Sequence, residues 1–223
     1  MILYIILFLL FVFFIRTIII LKRVQCNNSN SLVAKIPFVK VMAIIGSGGH
    51  TSEIIQLIHS LSYTYYPRIY VIASSDKMSQ DKVLELEQKL QVHATQQHCK
   101  EHYQEFCIEK IPRSREVHQS WITTVISTIY SILHSVPLLL RHKPDMILCN
   151  GPGTCVPVCL VAFFLSVIGM KKSTIVYVES ICRVQTLSLS GQILYYFADY
   201  FFVQWPQLKA RYTRATYLGL LVN

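Results

Sequence analysis

Two residues of this chain are of the type that moves protons and lie in the loops that follow apolar, β-branched runs. His50 ends Gly46-Ser-Gly-Gly-His50, behind Val41 to Ile45, and Glu179 follows Thr174 to Val178 with Ser180 beside it. An imidazole or carboxylate there can take a proton from a hydroxyl within hydrogen-bond reach. Either can equally bind a ligand or brace a loop. Gly46, Gly48 and Gly49 allow a tight turn and close approach to a ligand where a Cβ would clash. Ile54, Ile55, Leu57, Ile58 and Leu61 then recur at helical spacing, with Thr51 or Ser52 as the expected cap. Loop amides and a helix N-terminus aimed at one point suit an anion such as a diphosphate. The candidate anion-binding residues of this turn are Gly46, Ser47, Gly48, Gly49 and Thr51.

The two commonest glycine motifs fit poorly. A P-loop needs a Gly-Lys-Ser/Thr ending, and no lysine follows Gly49. A dinucleotide fingerprint needs glycine at its sixth position, which counted from Gly46 is Thr51. A plain glycine turn opening an α/β domain stays open beside the anion-binding reading. A second glycine turn runs Asn150-Gly-Pro-Gly-Thr154, and adds Asn150, Gly151, Gly153 and Thr154 to the candidates.

The elements that must position these loops alternate. Strands are expected at Val41 to Ile45, Arg68 to Ala73, Phe106 to Ile111, Asp145 to Cys149, Thr174 to Val178 and Ala198 to Gln204. Helices are expected after residue 51, over Ser79 to Leu90, over Trp121 to Leu140 and over Val156 to Ile168, with a loop over residues 91–104. The helix from Val156 is too short to cross a bilayer; it is a core helix or an interfacial one. Such alternation predicts a parallel sheet with helices on both faces, whose ligands bind outside the carboxyl ends of the strands. There the turns at Gly46 and Asn150 must meet Glu179 and Ser180.

The ends of the chain carry another signal. Residues 1–21 are mostly apolar, carry no charge except Arg16 and make about one bilayer span, followed by Lys22, Arg23, Lys35 and Lys40. Basic residues after the span, and no small-residue cleavage site, predict an uncleaved single-pass anchor with the bulk of the chain cytosolic. Residues 22–38 read as a basic linker, 39–217 as the α/β domain, and 218–223 as an apolar tail. The net charge of +9 gathers before Glu53 and after Asp199, which fits anionic head groups; no basic reading helix or aromatic RNA-binding signature supports nucleic acid. Seven cysteines without a Cys-x-x-Cys suit a reducing compartment. His98, Cys99, His102 and Cys107 match no standard zinc spacing, so no metal is expected. The sequon Asn27-Asn-Ser29 would be silent on the cytosolic side.

Four segments carry a resemblance: Ile45-Gly-Ser-Gly-Gly-His-Thr, Ile111-Pro-Arg-Ser-Arg-Glu-Val, Leu148-Cys-Asn-Gly-Pro-Gly-Thr and Tyr177-Val-Glu-Ser-Ile-Cys-Arg-Val. They closely resemble the asparagine-linked glycosylation protein fourteen family, from about Val41 to the C-terminus. That family is similar to the N-terminal, acceptor-binding half of a GT-B glycosyltransferase. The resemblance implies a soluble catalytic subunit that supplies the donor site for UDP-N-acetylglucosamine, in a heterodimer or larger complex without a cofactor. It implies addition of the second N-acetylglucosamine to dolichyl-diphosphate-N-acetylglucosamine, on the cytosolic side of the endoplasmic reticulum and its nuclear continuation. His50 and Glu179 become the candidate catalytic residues, while Arg113, Arg115 and Arg183 become candidate phosphate or partner contacts. The tail residues Leu218, Leu220, Leu221 and Val222 become the expected docking segment. From the residues themselves, a nucleotide-dependent enzyme complete in one chain and a non-enzymatic membrane scaffold are the competing readings.

Overall fold

The computed structural model describes residues 2–25, 38–96, 106–114 and 119–222. Its centre is one seven-stranded sheet in which every pairing is parallel, in the order β3-β2-β1-β4-β5-β6-β7. The strands are β1 Val41–Ile45, β2 Arg68–Ala73, β3 Phe106–Ile111, β4 Met146–Cys149, β5 Thr174–Val178, β6 Tyr200–Val203 and β7 Thr216–Tyr217. The helices are α1 Ile2–Gln25, α2 Gly49–His59, α3 Lys77–Gln96, α4 Trp121–His142, α5 Cys155–Ile168, α6 Leu189–Leu194 and α7 Pro206–Arg211.

Successive strand residues point to opposite faces, so one β-branched run fills two cores. Met42, Ile44, Val71, Ile147, Ile175 and Tyr177 pack on the α4 and α5 side. Val41, Ala43, Ile45, Tyr70, Leu148 and Val178 pack with Ile54 and Ile58 of α2 and Val83 and Leu86 of α3. Both faces are covered, as a parallel sheet requires. On the α3 side Arg68 places Nε 2.7 Å and Nη2 2.9 Å from the two carboxylate oxygens of buried Glu87, and the Tyr70 hydroxyl donates to the same group. Those three polar side chains satisfy one another, and the ion pair stays buried without an orphaned charge.

The six expected strands and four expected helices are present, with revised bounds. α3 begins at Lys77 and runs to Gln96, so the first part of the expected loop over 91–104 is helical. Its polar residues, free of glycine and proline, continue the helix without an apolar period that would reveal it. Residues 97–105, with His98, Cys99 and His102, lie outside the described residues. α6, α7 and β7 carry no signal in the sequence; each is six residues or shorter, too brief for a period to show. α5 is a core helix: Cys155, Val158, Cys159, Ala162 and Val167 are buried, while Phe164 and Ile168 face outward.

α1 is one continuous 24-residue helix, about 36 Å long at 1.5 Å per residue, and it runs past residue 21 into the expected linker. It packs against α5, with the rings of Phe13 and Phe164 6.0 Å apart. Among the described residues Ile122–His142 of α4 also has the length and apolarity of a membrane span. That helix instead joins β3 to β4 within one sheet, and Ser131, Ser135, Leu138 and Leu139 are buried against it. It is a crossover helix with an uncovered outer face.

Candidate active site

The strand order turns back between β1 and β4. The chain leaving β1 passes to α2 on one face, and the chain leaving β4 passes to α5 on the other. Their two loops therefore open a crevice at the carboxyl edge, which is where such sheets bind ligands.

The first loop is an uncapped helix start. α2 begins at Gly49, with Gly48 as N-cap at φ 63 and no side-chain cap. That conformation favours glycine, and a Cβ on Gly48 or Gly49 would meet nothing within 4 Å. The first-turn amides of α2 therefore look onto open space, with the positive end of the helix dipole behind them. Thr51 does not cap. It is buried, and its hydroxyl donates to the Gly46 carbonyl at 2.6 Å, with Ser79 Oγ 2.8 Å away and also donating to Gly46. Its side chain braces the turn from below. Ser47 is exposed on the turn.

The second loop packs directly on the first. A Cβ on Gly46 would stand 2.7 Å from His50 Cβ and 2.9 Å from Pro152 Cβ. α5 starts behind Thr154, again without a side-chain cap, but its first amides are spent within the turn: Cys155 N donates to the Pro152 carbonyl at 3.0 Å and Val156 N to the Gly153 carbonyl at 3.2 Å, and Pro157 has no N–H. Gly153 approaches Ser114, in the loop after β3, where a Cβ would lie 3.3 Å from Ser114 Oγ. Arg113, half-buried, precedes that serine; Arg115 lies outside the described residues.

A residue that the sequence reading missed ties the loops together. Glu53, buried one turn into α2, accepts from Ser180 Oγ at 2.7 Å and from Asn150 Nδ2 at 2.9 Å. One carboxylate thus joins the ends of β1, β4 and β5. The signal in the sequence was weak: a lone acid among Ile54, Ile55, Leu57 and Ile58, on the face that turns inward. Four buried polar atoms around this junction have no partner: His50 Nδ1, Asn150 Oδ1, Thr154 Oγ1 and Ser114 Oγ. Buried polar groups are nearly always paired, so such a cluster marks a place where bound water or a ligand completes the pairing.

His50 and Glu179 have different surroundings. Burial lowers the His50 pKa from its ordinary value; Glu53 opposes that shift and Arg183 adds to it. The imidazole is thereby held neutral at neutral pH, the form that accepts a proton. Arg183, exposed on the turn after β5, is close enough to act on it. Glu179 is fully buried. Its Oε1 accepts from Ser180 N at 3.1 Å and Tyr177 OH at 3.3 Å, and its Oε2 from Ser188 N at 3.0 Å and Ser188 Oγ at 3.2 Å. Burial raises its pKa, and the hydrogen bonds from Ser188 and Ser180 partly offset the rise. Each carboxylate oxygen is occupied by the protein, which suits a brace beneath the β5 loop.

The tail divides. Leu218 and Leu220 are exposed, whereas Leu221 and Val222 donate their backbone N–H groups to Gln204 Oε1 at 3.1 and 3.2 Å, and Val222 is buried. Gln204 Nε2 donates in turn to the Glu179 carbonyl at 2.9 Å.

Comparison with known proteins fits this geometry. A family model described as oligosaccharide biosynthesis protein Alg14 like matches residues 41–221. The UDP-N-acetylglucosamine transferase subunit ALG14 of Mus musculus is 53% identical over 184 residues, covering 82% of this chain and 83% of that protein. Its counterpart in Homo sapiens is 48% identical over 208 residues, covering 93% and 91%. The Schizosaccharomyces pombe protein of that name is 43% identical over 200 residues, covering 87% and 90%. Among solved structures, a putative UDP-N-acetylglucosamine 2-epimerase from Listeria monocytogenes has a TM-score of 0.55 at 16% identity, covering 80% of this chain and 42% of that one. MurG of Acinetobacter baumannii has a TM-score of 0.52 at 13% identity, covering 76% and 42%. These two likenesses concern the fold alone, a Rossmann-like sheet of the GT-B kind, and the chain spans less than half the length of either. The family match begins at the first residue of β1 and takes in every crevice loop as far as the tail: this chain belongs to the Alg14-like family of oligosaccharide biosynthesis proteins.

Proposed function

We propose that this chain is the membrane-anchoring, acceptor-binding subunit of a UDP-N-acetylglucosamine transferase. It recruits a soluble catalytic subunit, which supplies the donor site, to the cytosolic face of the endoplasmic reticulum. The complex adds the second N-acetylglucosamine to dolichyl-diphosphate-N-acetylglucosamine. The observation that carries this reading is the crevice at the strand reversal, where the uncapped N-terminus of α2 faces open space beside four unpartnered buried polar atoms. Amides and positive helix ends bind a diphosphate well, and the relatives' shared name supplies the sugar nucleotide.

The lipid half of the acceptor finds support on α4. Ile122, Val125, Ile126, Ile129 and Leu133 repeat at helical spacing and are all more than half exposed. This stripe occupies the N-terminal half of α4, the half nearest the carboxyl edge, so an apolar surface runs up to the crevice. α1 supplies the anchor, and tethering raises the local concentration of a membrane-bound substrate.

In the reaction the acceptor hydroxyl oxygen bonds to the anomeric carbon as UDP departs, and the hydroxyl proton passes to a base. His50 takes that role, and Glu179 positions the β5 loop beside it. Ser47 and the amides of Gly48 and Gly49 hold the diphosphate, with Arg113, Arg115 and Arg183 as further phosphate or partner contacts.

The test is sugar transfer from UDP-N-acetylglucosamine to a dolichyl-diphosphate-N-acetylglucosamine analogue, by membranes holding this chain with and without the soluble subunit. Activity only with both chains is expected. Activity from this chain alone would refute the division of labour. In the active complex Gly48→Val should damage turnover more than His50→Ala if amides dominate binding.

A further inference from the structure

At the opposite edge of the sheet lies a second cavity, of about 300 Å3, between α1 and the starts of β5 and β6. We propose that it binds the phosphate of an anionic phospholipid headgroup, held by Arg16, Arg23 and Lys172. The proposal rests on α1 being the membrane anchor.

The three cations come from two parts of the chain. Arg16 and Arg23 are seven residues apart on α1, hence on one face and about 10 Å apart along the axis. Lys172 stands just before β5 and lines the same cavity. Among the described residues none of the three is in an ion pair. The cavity's one carboxylate, Asp199, has Oδ2 accepting from Ile175 N at 2.9 Å and is the only negative charge among its lining residues. A fourth cation lies beside it. Arg214 donates to the carbonyls of Val24, at 3.3 Å, and Ala198, yet its Nη1 is buried without a partner. Among the described residues that atom is the remaining buried orphan once the four of the crevice are counted.

One structural account covers part of this cluster. The Arg16 guanidinium lies over Gly169, the C-cap of α5, where a Cβ would stand 2.8 Å from Nη2. A cation is favourable at a helix C-terminus. Asp199 attracts Lys172, Arg214 and Arg23, but one carboxylate among four cations leaves the cavity with an excess of positive charge.

The surroundings fit a lipid better than a free anion. Ile20, Phe163 and Phe197 form an apolar side, next to Ser166 and Ser173. An apolar wall beside several cations matches a phosphate joined to a glycerol and its chains. The cavity stands at the C-terminal end of the anchor, the depth at which cytosolic phospholipid phosphates lie, and basic sites at that level attract anionic lipid. It is not the acceptor site, since β5 separates the two edges by roughly 15 Å.

The experiment uses the full chain with its soluble subunit in vesicles of neutral phosphatidylcholine, with or without about one-fifth phosphatidylserine. The readouts are melting temperature and hydrogen exchange over residues 163–175. Anionic lipid should raise the melting temperature by roughly 4 °C and slow exchange there, as binding at about tenfold excess over Kd would. Arg23→Gln with Lys172→Gln should abolish both effects while melting like the parent in neutral vesicles. Lys172→Gln alone should halve the shift, which keeps the test decisive if the double variant fails to fold. Equal behaviour of the parent in the two vesicle types would overturn the proposal, as would an undiminished shift in the variants. Equal protection by millimolar inorganic phosphate would overturn the lipid as its source. Failure to float with neutral vesicles would instead overturn the anchor reading, so the two failures are distinguishable.

Discussion

The imidazole of His50 lies against the Cα of Gly151, so closely that a Cβ there would stand 2.7 Å from His50 Cε1. The β1 loop and the β4 loop are therefore fitted to each other at the residue that would take the proton, and glycine at 151 sets where the ring lies.

Gly151→Ala tests that fit. Its φ of 80 costs a side-chain-bearing residue about 1–2 kcal/mol, and the ring must move as well. Sugar transfer by the two-chain complex should fall at least roughly tenfold, the factor that about 1.4 kcal/mol represents. Full activity from a folded Gly151→Ala chain would show that the ring's position does not matter.

His50 should leave a mark on stability against pH. Its folded pKa lies below the ordinary 6.5, with Glu53 and Arg183 the charged groups acting on it. Just below pH 6.5 the unfolded chain then binds more protons than the folded one, so stability rises with pH through that window. It is lost as pH falls below 6.5 and complete above it. Melting temperatures of the parent and of His50→Asn, taken from pH 5 to 7.5, should converge at the acid end relative to the neutral end. Parallel curves would mean an unshifted imidazole.

Glu53→Ala removes the acceptor for both Ser180 and Asn150. Hydrogen bonds to a buried charged group contribute about 1.5–3 kcal/mol each. A loss of about 3 kcal/mol is expected, or roughly 6–12 °C in melting temperature for a domain of this size. Glu53→Gln should lose less, because Asn150 can turn its amide to offer Oδ1. Scanning calorimetry compares the two, and equal melting of Glu53→Ala and the parent would contradict the bridging role.

The two halves of the tail should separate by readout. Leu218→Asp with Leu220→Asp alters exposed side chains, so the domain should melt within about 0.5 kcal/mol of the parent. Recovery of the soluble subunit on co-purification should nevertheless drop several-fold. Val222→Asp puts a charge into a buried site and should unfold the tail's seat on Gln204. Unchanged recovery with the first pair would place docking elsewhere.

Much of this architecture is legible from local signals. Val41 to Ile45 and Thr174 to Val178 are β-branched runs, whose stiff side chains favour strands whatever lies around them. Gly48 and Gly151 mark turns because few other residues accept their positive φ, and Gly46 because a Cβ would collide with His50 and Pro152. Parallel alternation then obliges the loops after β1, β4 and β5 to share an edge, so His50, Asn150 and Ser180 could be grouped before any coordinates. The polar end of α3, the short α6 and α7, and β7 gave no such signal, being too polar or too brief.

The roles within the edge were decided by tertiary structure. His50 and Glu179 look alike in the sequence, each a titratable group behind a strand. Only packing leaves His50 with an unpartnered nitrogen at the crevice and surrounds Glu179 with donors from Tyr177, Ser180 and Ser188. Thr51, a cap by position, becomes a brace because α2 starts two residues earlier. Glu53 and the junction of Arg16, Arg23 and Lys172 depend on contacts between segments far apart in the chain. Residue types and spacing set which conformations each segment can adopt; which distant donors and acceptors meet is set by how the helices close over both faces of the sheet.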